Sequence, residues 1–355
     1  MSAMTVEPAW CKRHLDSVAF AADELTVAGW VFGRDVGELK GMDVETRPRG
    51  AARVRSLEIS ASPDVAEAFP KFGDASRCRF RLVLGVEAQP APPAFLAKLK
   101  PVFERGQGRT GCVSHGLLKP PKEFLERVGG GTEVGLEFLD YFLDYGRLAE
   151  DDSVVDLGCG TGRMAIPLQK VLASGGRYVG IDVDKELIHW CQKNVQDRDR
   201  RFEFFHVKAK NDLYNPRGRM DVTEVALPIA TGSASFAFAT SLFTHLRAAH
   251  AEHYLRELGR ALRPGGRLLM TAFVVEPGSK RVGGGASPEP EFRKLDARTW
   301  TNHPELPEKA IGFEAATLDE WTAKGGLALE RTLPGAWGGG VDGYSYQDIL
   351  VYSKR

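Results

Sequence analysis

Three hydrophobic patterns succeed one another along this chain. Up to about residue 88, apolar and polar positions alternate in short runs: Val18-Ala19-Phe20, Leu25 to Phe32, Met42 to Thr46, Ala52 to Leu57 and Cys78 to Leu84. Gly, Asp and Pro clusters separate the runs, and period-two alternation between such turn residues predicts a small antiparallel sandwich. A helical period then sets in: over Glu133 to Tyr145, the residues Val134, Phe138, Leu139, Phe142 and Leu143 share one side. From 153 onward, strand-length apolar runs alternate with helical patterns. Strands are predicted at 153–157, 177–182, 202–207, 235–240 and 267–274, with helices near 162–173, 185–195 and 248–262. A helix near 317–324 and two strands, 327–333 and 346–352, close the chain. Alternating strands and helices predict a parallel sheet covered on both faces.

The proline-rich stretch 88–93, Ala-Gln-Pro-Ala-Pro-Pro, is the predicted boundary. It divides the chain into an all-β domain (1–93), a helical connector and covering segment (94–150) and an α/β domain (151–355). Composition adds mostly exclusions. A 43% hydrophobic chain of 355 residues can bury sizeable cores. Lys+Arg and Asp+Glu both number 47, so no global basic field favours nucleic acid. The five cysteines, Cys11, Cys78, Cys112, Cys159 and Cys191, are scattered without a C-x-x-C pair, which points to neither a zinc site nor a disulfide framework. No apolar run has the length of a membrane span, and none at the start resembles a signal peptide. The expectation is a cytoplasmic protein without a metal.

The chemistry concentrates in Val154-Val155-Asp156-Leu157-Gly158-Cys159-Gly160-Thr161-Gly162-Arg163, followed by Tyr178-Val179-Gly180-Ile181-Asp182. An apolar run ending in an acid, three glycines at alternate positions and a helical pattern describe a strand, a tight turn and a helix. Glycines permit left-handed turn conformations and let backbone approach a bulky ligand. The second run ends in Asp182, placed to accept hydrogen bonds from a ribose diol. A dinucleotide fingerprint would want a small residue where Arg163 stands.

This G-x-G-x-G turn resembles motif I of the class I S-adenosylmethionine-dependent methyltransferases, and the resemblance covers about 125–355. It implies a Rossmann-like seven-stranded sheet with an antiparallel edge, S-adenosylmethionine as cofactor and S-adenosylhomocysteine as product. It puts Asp156, Gly158, Cys159, Gly160 and Gly162 at the methionine part, Cys159 through its backbone, Asp182 on the ribose and Val183 at the adenine face. Relatives commonly carry an acid just past the third strand to contact the adenine; here that slot holds Lys208, leaving the contact to Asn211 or a backbone carbonyl. Phe236 to Leu246 resembles motif IV, which brings Ser241, Thr244 and His245 to the reaction centre. His245 is a candidate general base by its pKa range; pocket wall and plain structure are the alternatives. Arg263-Pro264-Gly265-Gly266 is similar to a structural landmark of the family. The segment Val128 to Thr132 either folds over the cofactor or caps a helix. Trp337, Tyr344 and Gln347 resemble a C-terminal signature near the acceptor mouth. Gly29 to Phe32 and Pro63 to Phe69 resemble a β-sandwich module attached to bacterial glycan-modifying enzymes, a solubility or homodimerisation module being the other reading.

The implied function is methyl transfer to a small-molecule acceptor, with neither nucleic acid nor membrane as partner. The acceptor is a sugar, a glycan precursor or a bacterial secondary metabolite, methylated on oxygen. N-methylation of an amine or peptide-derived product is the alternative, and a non-catalytic scaffold that keeps the cofactor fold is a third reading.

Overall fold

A computed structural model describes residues 8–21, 23–86, 94–211, 213–277, 283–284, 288–289, 291–338 and 343–355. The chain divides into two compact units. One comprises Met1–Pro121, Gly130–Arg147 and Ile166–Val171; the other comprises Lys122–Gly129, Leu148–Ala165 and Leu172–Arg355.

The first unit is built from eight strands among the described residues: β1 (Cys11–Ala21), β2 (Glu24–Gly33), β3 (Leu39–Arg47), β4 (Ala52–Ser60), β5 (Arg79–Val86), β6 (Phe95–Phe103), β7 (Gly106–Gln107) and β8 (Gly111–His115). They form two antiparallel sheets. One has the order β1-β2-β5-β4; in the other β6 lies between β3 and both β7 and β8. Alternate residues point inward, as the pleat requires. Leu25, Val27 and Val31 from the first sheet share one core with Phe95, Ala97, Leu99 and Phe103 from the second. Helix α1 (Pro63–Ala68) begins on a proline, which needs no partner for its missing N–H. Phe69 and Phe72 beyond it pack with Trp10, Trp30 and Phe32.

The expected boundary and the expected helical connector are both corrected here. The proline-rich stretch itself lies outside the described residues, but β6 follows it directly and pairs along its length with β3, from Leu39↔Phe103 to Arg47↔Leu96. The second sheet is therefore completed by residues beyond 93, and 94–150 is not a helical connector. Of the two helices in that segment, α2 (Lys122–Arg127) belongs to the second unit and α3 (Thr132–Asp144) to the first. Helix α3 docks through acids as well as its apolar stripe. Asp140 pairs with the Arg13 guanidinium, which also donates to the Thr110 carbonyl. Asp144 accepts the Thr110 N–H and hydroxyl, each at 2.7 Å. Burial raises the Asp140 carboxyl to about 6, with the Arg13 charge opposing that rise.

In the second unit, β9 (Ser153–Leu157) leads through the glycine turn to α4 (Ala165–Val171), β10 (Arg177–Asp182), α5 (Lys185–Cys191) and β11 (Phe202–His206). Then come β12 (Ala234–Ala239), α6 (Ala248–Ala261) and β13 (Leu262–Val274), which starts earlier than the expected 267. Four two-residue strands follow, β14 (Gly283–Gly284), β15 (Pro288–Glu289), β16 (Arg293–Lys294) and β17 (Trp300–Thr301), and after them β18 (Ile311–Phe313), α7 (Ala315–Lys324), β19 (Leu327–Leu333) and β20 (Asp348–Lys354). The order β11-β10-β9-β12-β13 is parallel throughout; β20 adds antiparallel to β13, and β19 antiparallel to β20. That is the expected seven-stranded arrangement, extended where β18 pairs with Phe273 and Val274 at the far end of β13. One face of the sheet buries Val155, Leu157, Ala237, Ala239, Leu268 and Met270 under Leu255 and Leu258 of α6 and Trp321 of α7. The order reverses between β9 and β12, so the chain leaves their carboxyl ends in opposite directions and opens a crevice there.

Because β6 contributes Phe95, Ala97, Leu99 and Phe103 to the sandwich core, removal of residues 1–93 should expose these side chains. Size-exclusion chromatography and dye binding of residues 94–355 should show aggregation or exposed apolar surface. A monomer that unfolds cooperatively would mean that β6 does not need β3.

Candidate functional site

The turn after β9 places all three alternate glycines at positive φ: +82° at Gly158, +52° at Gly160 and +70° at Gly162. Side chains resist this region. Space is also limiting, since a Cβ on Gly160 would stand 3.0 Å from Val128 Cγ1. The Gly158 and Cys159 N–H groups donate to the Ile181 carbonyl at 2.8 and 3.1 Å, tying the turn to the end of β10. Asp182 completes the tie. One of its oxygens accepts the Gly160 N–H at 2.7 Å and the other accepts the Asp184 N–H at 2.8 Å. Burial raises the Asp182 carboxyl above its ordinary range, and these N–H groups pull it back.

Over this turn opens a cavity of about 1100 Å³ counting its solvent-open mouth. Gly158, Cys159, Gly160, Asp182, Val183, Ser241 and His245 all line it. These are seven of the thirteen residues proposed from sequence as site residues. Asp156 does not line it: it is wholly buried beneath the turn, where the Tyr178 hydroxyl donates to it at 2.5 Å. Alternation along β9 turns Leu157 toward the cavity and Asp156 away. Burial raises the Asp156 carboxyl to about 8 despite the tyrosine, so it carries a proton at neutral pH. Gly162 lies against Cys191 Sγ rather than the cavity. Cys159 is buried and its thiol is pushed well up, consistent with a backbone contribution.

Motif IV delivers its residues by a strained turn. Ser241, just past β12, has φ +55°, a conformation that costs a non-glycine residue about 1–2 kcal/mol. The buried Thr271 hydroxyl stabilises it, accepting the Ser241 N–H at 2.7 Å and donating to Gln347 Oε1 at 2.6 Å. Gln347 thus supports the turn from behind. His245 Nδ1 lies 2.7 Å from the Glu308 carbonyl. A carbonyl only accepts, so Nδ1 carries the proton and Nε2 keeps its lone pair. Burial lowers the His245 pKa, although the Glu308 bond opposes this, and the ring is neutral at pH 7. Tyr214 packs edge-on against it at 5.4 Å. Arg247 holds Glu308 in place by an ion pair at 2.5 Å.

The other proposed acceptor residues are turned elsewhere. Thr244 is buried and donates back to the Ser241 carbonyl at 3.2 Å. Trp337 sits among Phe273, Val275 and Phe292, with its indole N–H on Asp348 at 2.7 Å. The Tyr344 N–H donates to the Pro334 carbonyl at 2.9 Å, and its side chain does not line the cavity. Lys208 is exposed, whereas Asn211 does line the cavity, its Oδ1 accepting the Leu213 and Tyr214 N–H groups. Sequence reasoning missed Arg127, Arg163 and Tyr214 as wall residues. Arg127 reaches Asp184 and, at 2.6 Å, Glu186 across the cavity edge. For Arg163 the signal was present in its position directly after the third glycine; for Tyr214 and Arg127 it was not, because loop and helix packing bring them in.

Residues 154–266 match the family model of a methyltransferase domain. An uncharacterised 37.1 kDa protein in a Streptomyces fradiae transposon is 24% identical over 194 residues, 48% of this chain and 51% of that protein. The ribosomal protein L11 methyltransferase of Thermus thermophilus is 33% identical over 127 residues, 36% of this chain and 41% of the relative. The chain thus spans about half or less of the length of these curated relatives. Among solved structures, an S-adenosylmethionine-dependent methyltransferase from Aquifex aeolicus aligns at TM-score 0.42 and 16% identity over 66% of this chain and 98% of that one. Residues 154–266 are thus similar to a methyltransferase domain, and the cofactor expected there is S-adenosylmethionine. The residues present fit that group: a cradle that a Cβ at Gly160 would fill, and a carboxylate at the end of β10.

Two outcomes follow from the buried acids. Asp182→Ala removes the carboxylate that holds the Gly160 N–H, and should weaken S-adenosylhomocysteine binding by roughly 1–3 kcal/mol in calorimetry; an unchanged dissociation constant would remove Asp182 from the site. Asp156 keeps its proton to about pH 8 in the folded chain, while an unfolded carboxyl loses it near 4. The folded state therefore binds the extra proton between these values, and stability falls as pH rises through that window. Asp156→Asn cannot ionise, so its melting temperature should gain on that of the native chain from pH 5 to pH 8. A difference independent of pH would show that Asp156 is ionised when folded.

Proposed function

We propose that this chain transfers a methyl group from S-adenosylmethionine to a hydroxyl of a small-molecule acceptor. The observation that carries this reading is His245. It lines the cavity beside the strained Ser241 turn, and its Nδ1 proton is committed to the Glu308 carbonyl. A hydroxyl is a weak nucleophile until its proton is removed, and a neutral imidazole with Nε2 open is suited to remove it. An amine already has a lone pair and would leave such a base without a task, which makes N-methylation the second reading.

When bound, S-adenosylmethionine supplies an electrophilic methyl group. The chain's own residues perform the remaining work. The glycine turn and Asp182 form the floor on which the donor is oriented. Thr271 and Gln347 hold the Ser241 turn, and so the approach of the acceptor. Leu157, Leu242, Leu246 and Tyr254 exclude water from the wall. Alignment and desolvation of this kind supply much of the rate of a displacement reaction. A sugar, a glycan precursor or a secondary metabolite remains the acceptor class we propose, with a homodimer through the sandwich as the proposed assembly.

Incubation of the full chain with S-adenosylmethionine and separate panels of sugars, phenols and amines tests this, with S-adenosylhomocysteine release followed by mass spectrometry. Turnover on hydroxyl acceptors is expected; turnover on amines alone would favour the second reading. With a hydroxyl acceptor, His245→Ala should lower kcat by roughly 10²–10⁴ and leave S-adenosylhomocysteine affinity unchanged. The native rate should fall toward acid through a pKa below the ordinary imidazole value of about 6.5, since only the neutral ring accepts a proton. A variant with more than about a tenth of the rate and the same pH profile would reduce His245 to a wall residue and leave alignment to explain the rate.

A further inference from the structure

The sandwich unit holds a cavity of its own, about 710 Å³ in volume; small-molecule sites span roughly 300–1,000 Å³. All of its described lining residues belong to the first unit. It opens where the two sheets end: among the described strands, β1 pairs with β2 alone and β8 with β6 alone. Helix α3 spans these two edges. Its residues Thr132, Glu133, Leu136, Glu137 and Asp140, which share one helical face, line the cavity. Opposite them the lining is apolar and deep: Val31, Phe80, Leu99 and Val113, none more than 5% exposed. Such a surface offers water no hydrogen-bond partner, whereas a buried water needs about two to four.

The polar part of the wall balances its own charges. Arg13, Arg109 and Lys119 stand against Glu133, Glu137 and Asp140, with the exposed His14 beside them. Arg109 is committed to packing: it lies over the Tyr141 ring at 5.4 Å and donates to the Cys11 carbonyl at 2.9 Å. Arg13 lies against Gly111, where a Cβ would stand 3.1 Å from its Nη1. It donates to Asp140 and to the Thr110 carbonyl, and a guanidinium has five N–H donors. Its side chain stays 24% exposed. Asp140 thus answers the Arg13 charge while further donors can meet a ligand oxygen. We propose that this cavity is a second ligand site, which takes an uncharged, largely apolar molecule bearing a carbonyl or hydroxyl oxygen. The oxygen would sit on Arg13 and the apolar body on Val31, Phe80, Leu99 and Val113. A charged ligand would upset the balance of the wall and lose its hydration against an apolar surface. The site is independent of methyl transfer.

Fluorescence titration of the full chain tests this with two uncharged probes: prodan, a naphthalene ketone, and phenylnaphthylamine, which has no oxygen. Both should bind, prodan with blue-shifted emission. Leu136→Trp, on the half-buried cavity face of α3, fills the space and should abolish binding of both. Arg13→Met should weaken prodan roughly tenfold, the usual worth of a hydrogen bond from a charged donor, and leave phenylnaphthylamine within about twofold. If Arg13→Met does not fold, the double variant Arg13→Met, Asp140→Leu removes the buried pair together, leaves no orphaned charge and should show the same contrast. Failure of the native chain to bind prodan would overturn the proposal. Unchanged affinity in Leu136→Trp would place the probes elsewhere and overturn it as well. An equal loss of both probes on removing Arg13 would reduce that residue to holding α3 and overturn the oxygen contact.

Discussion

The bond from the Gly160 N–H to Asp182 is the constraint on which the site depends. It joins the turn after β9 to the end of β10, at the point where the strand order reverses. The three left-handed glycines make the turn sharp enough for that N–H to reach the carboxylate, and the Gly158 and Cys159 bonds to Ile181 fix its height. A charge-assisted bond of this type is worth about twice a neutral one.

The opposite wall solves a different problem. The chain must leave β12, turn back and present the His245 ring to the cavity within six residues. It does so through a non-glycine residue at positive φ, Ser241, held by the Thr271–Gln347 relay. Strain of this kind persists where the surroundings over-determine it, and it clusters at functional sites. The His245 ring is held in turn by the Glu308 carbonyl, and Glu308 by Arg247. One wall thus depends on backbone freedom and the other on strain backed by buried hydrogen bonds.

The sandwich unit shows how a composition signal misleads. A run of prolines before Phe95 reads as a linker, yet the alternating Phe95, Ala97 and Leu99 behind it complete the second sheet. Strand pairing there joins residues from Arg47↔Leu96 to Leu39↔Phe103, far apart in sequence, and no local pattern reports on such a partner. The buried Asp140 on α3 is hidden for the same reason: its acceptance by the core depends on Arg13, far away in the chain.

Local sequence pattern suffices for the alternation that makes the central sheet, the glycine turn, and the acid that ends β10. These are local: backbone freedom, strand period and turn chemistry are properties of neighbouring residues. It also carried Ser241 and His245 to the cavity, because both follow one strand end. Tertiary structure alone decided that Asp156 lies beneath the turn, neutral, under Tyr178, because strand alternation and a partner on β10 set its direction. It likewise decided that Trp337 is a core residue, since the buried Asp348 takes its indole N–H, and that Gln347 acts on Ser241 through Thr271 rather than from the cavity wall. Burial and hydrogen-bond partners are set by segments distant in sequence, and the chain's local pattern carries no record of them.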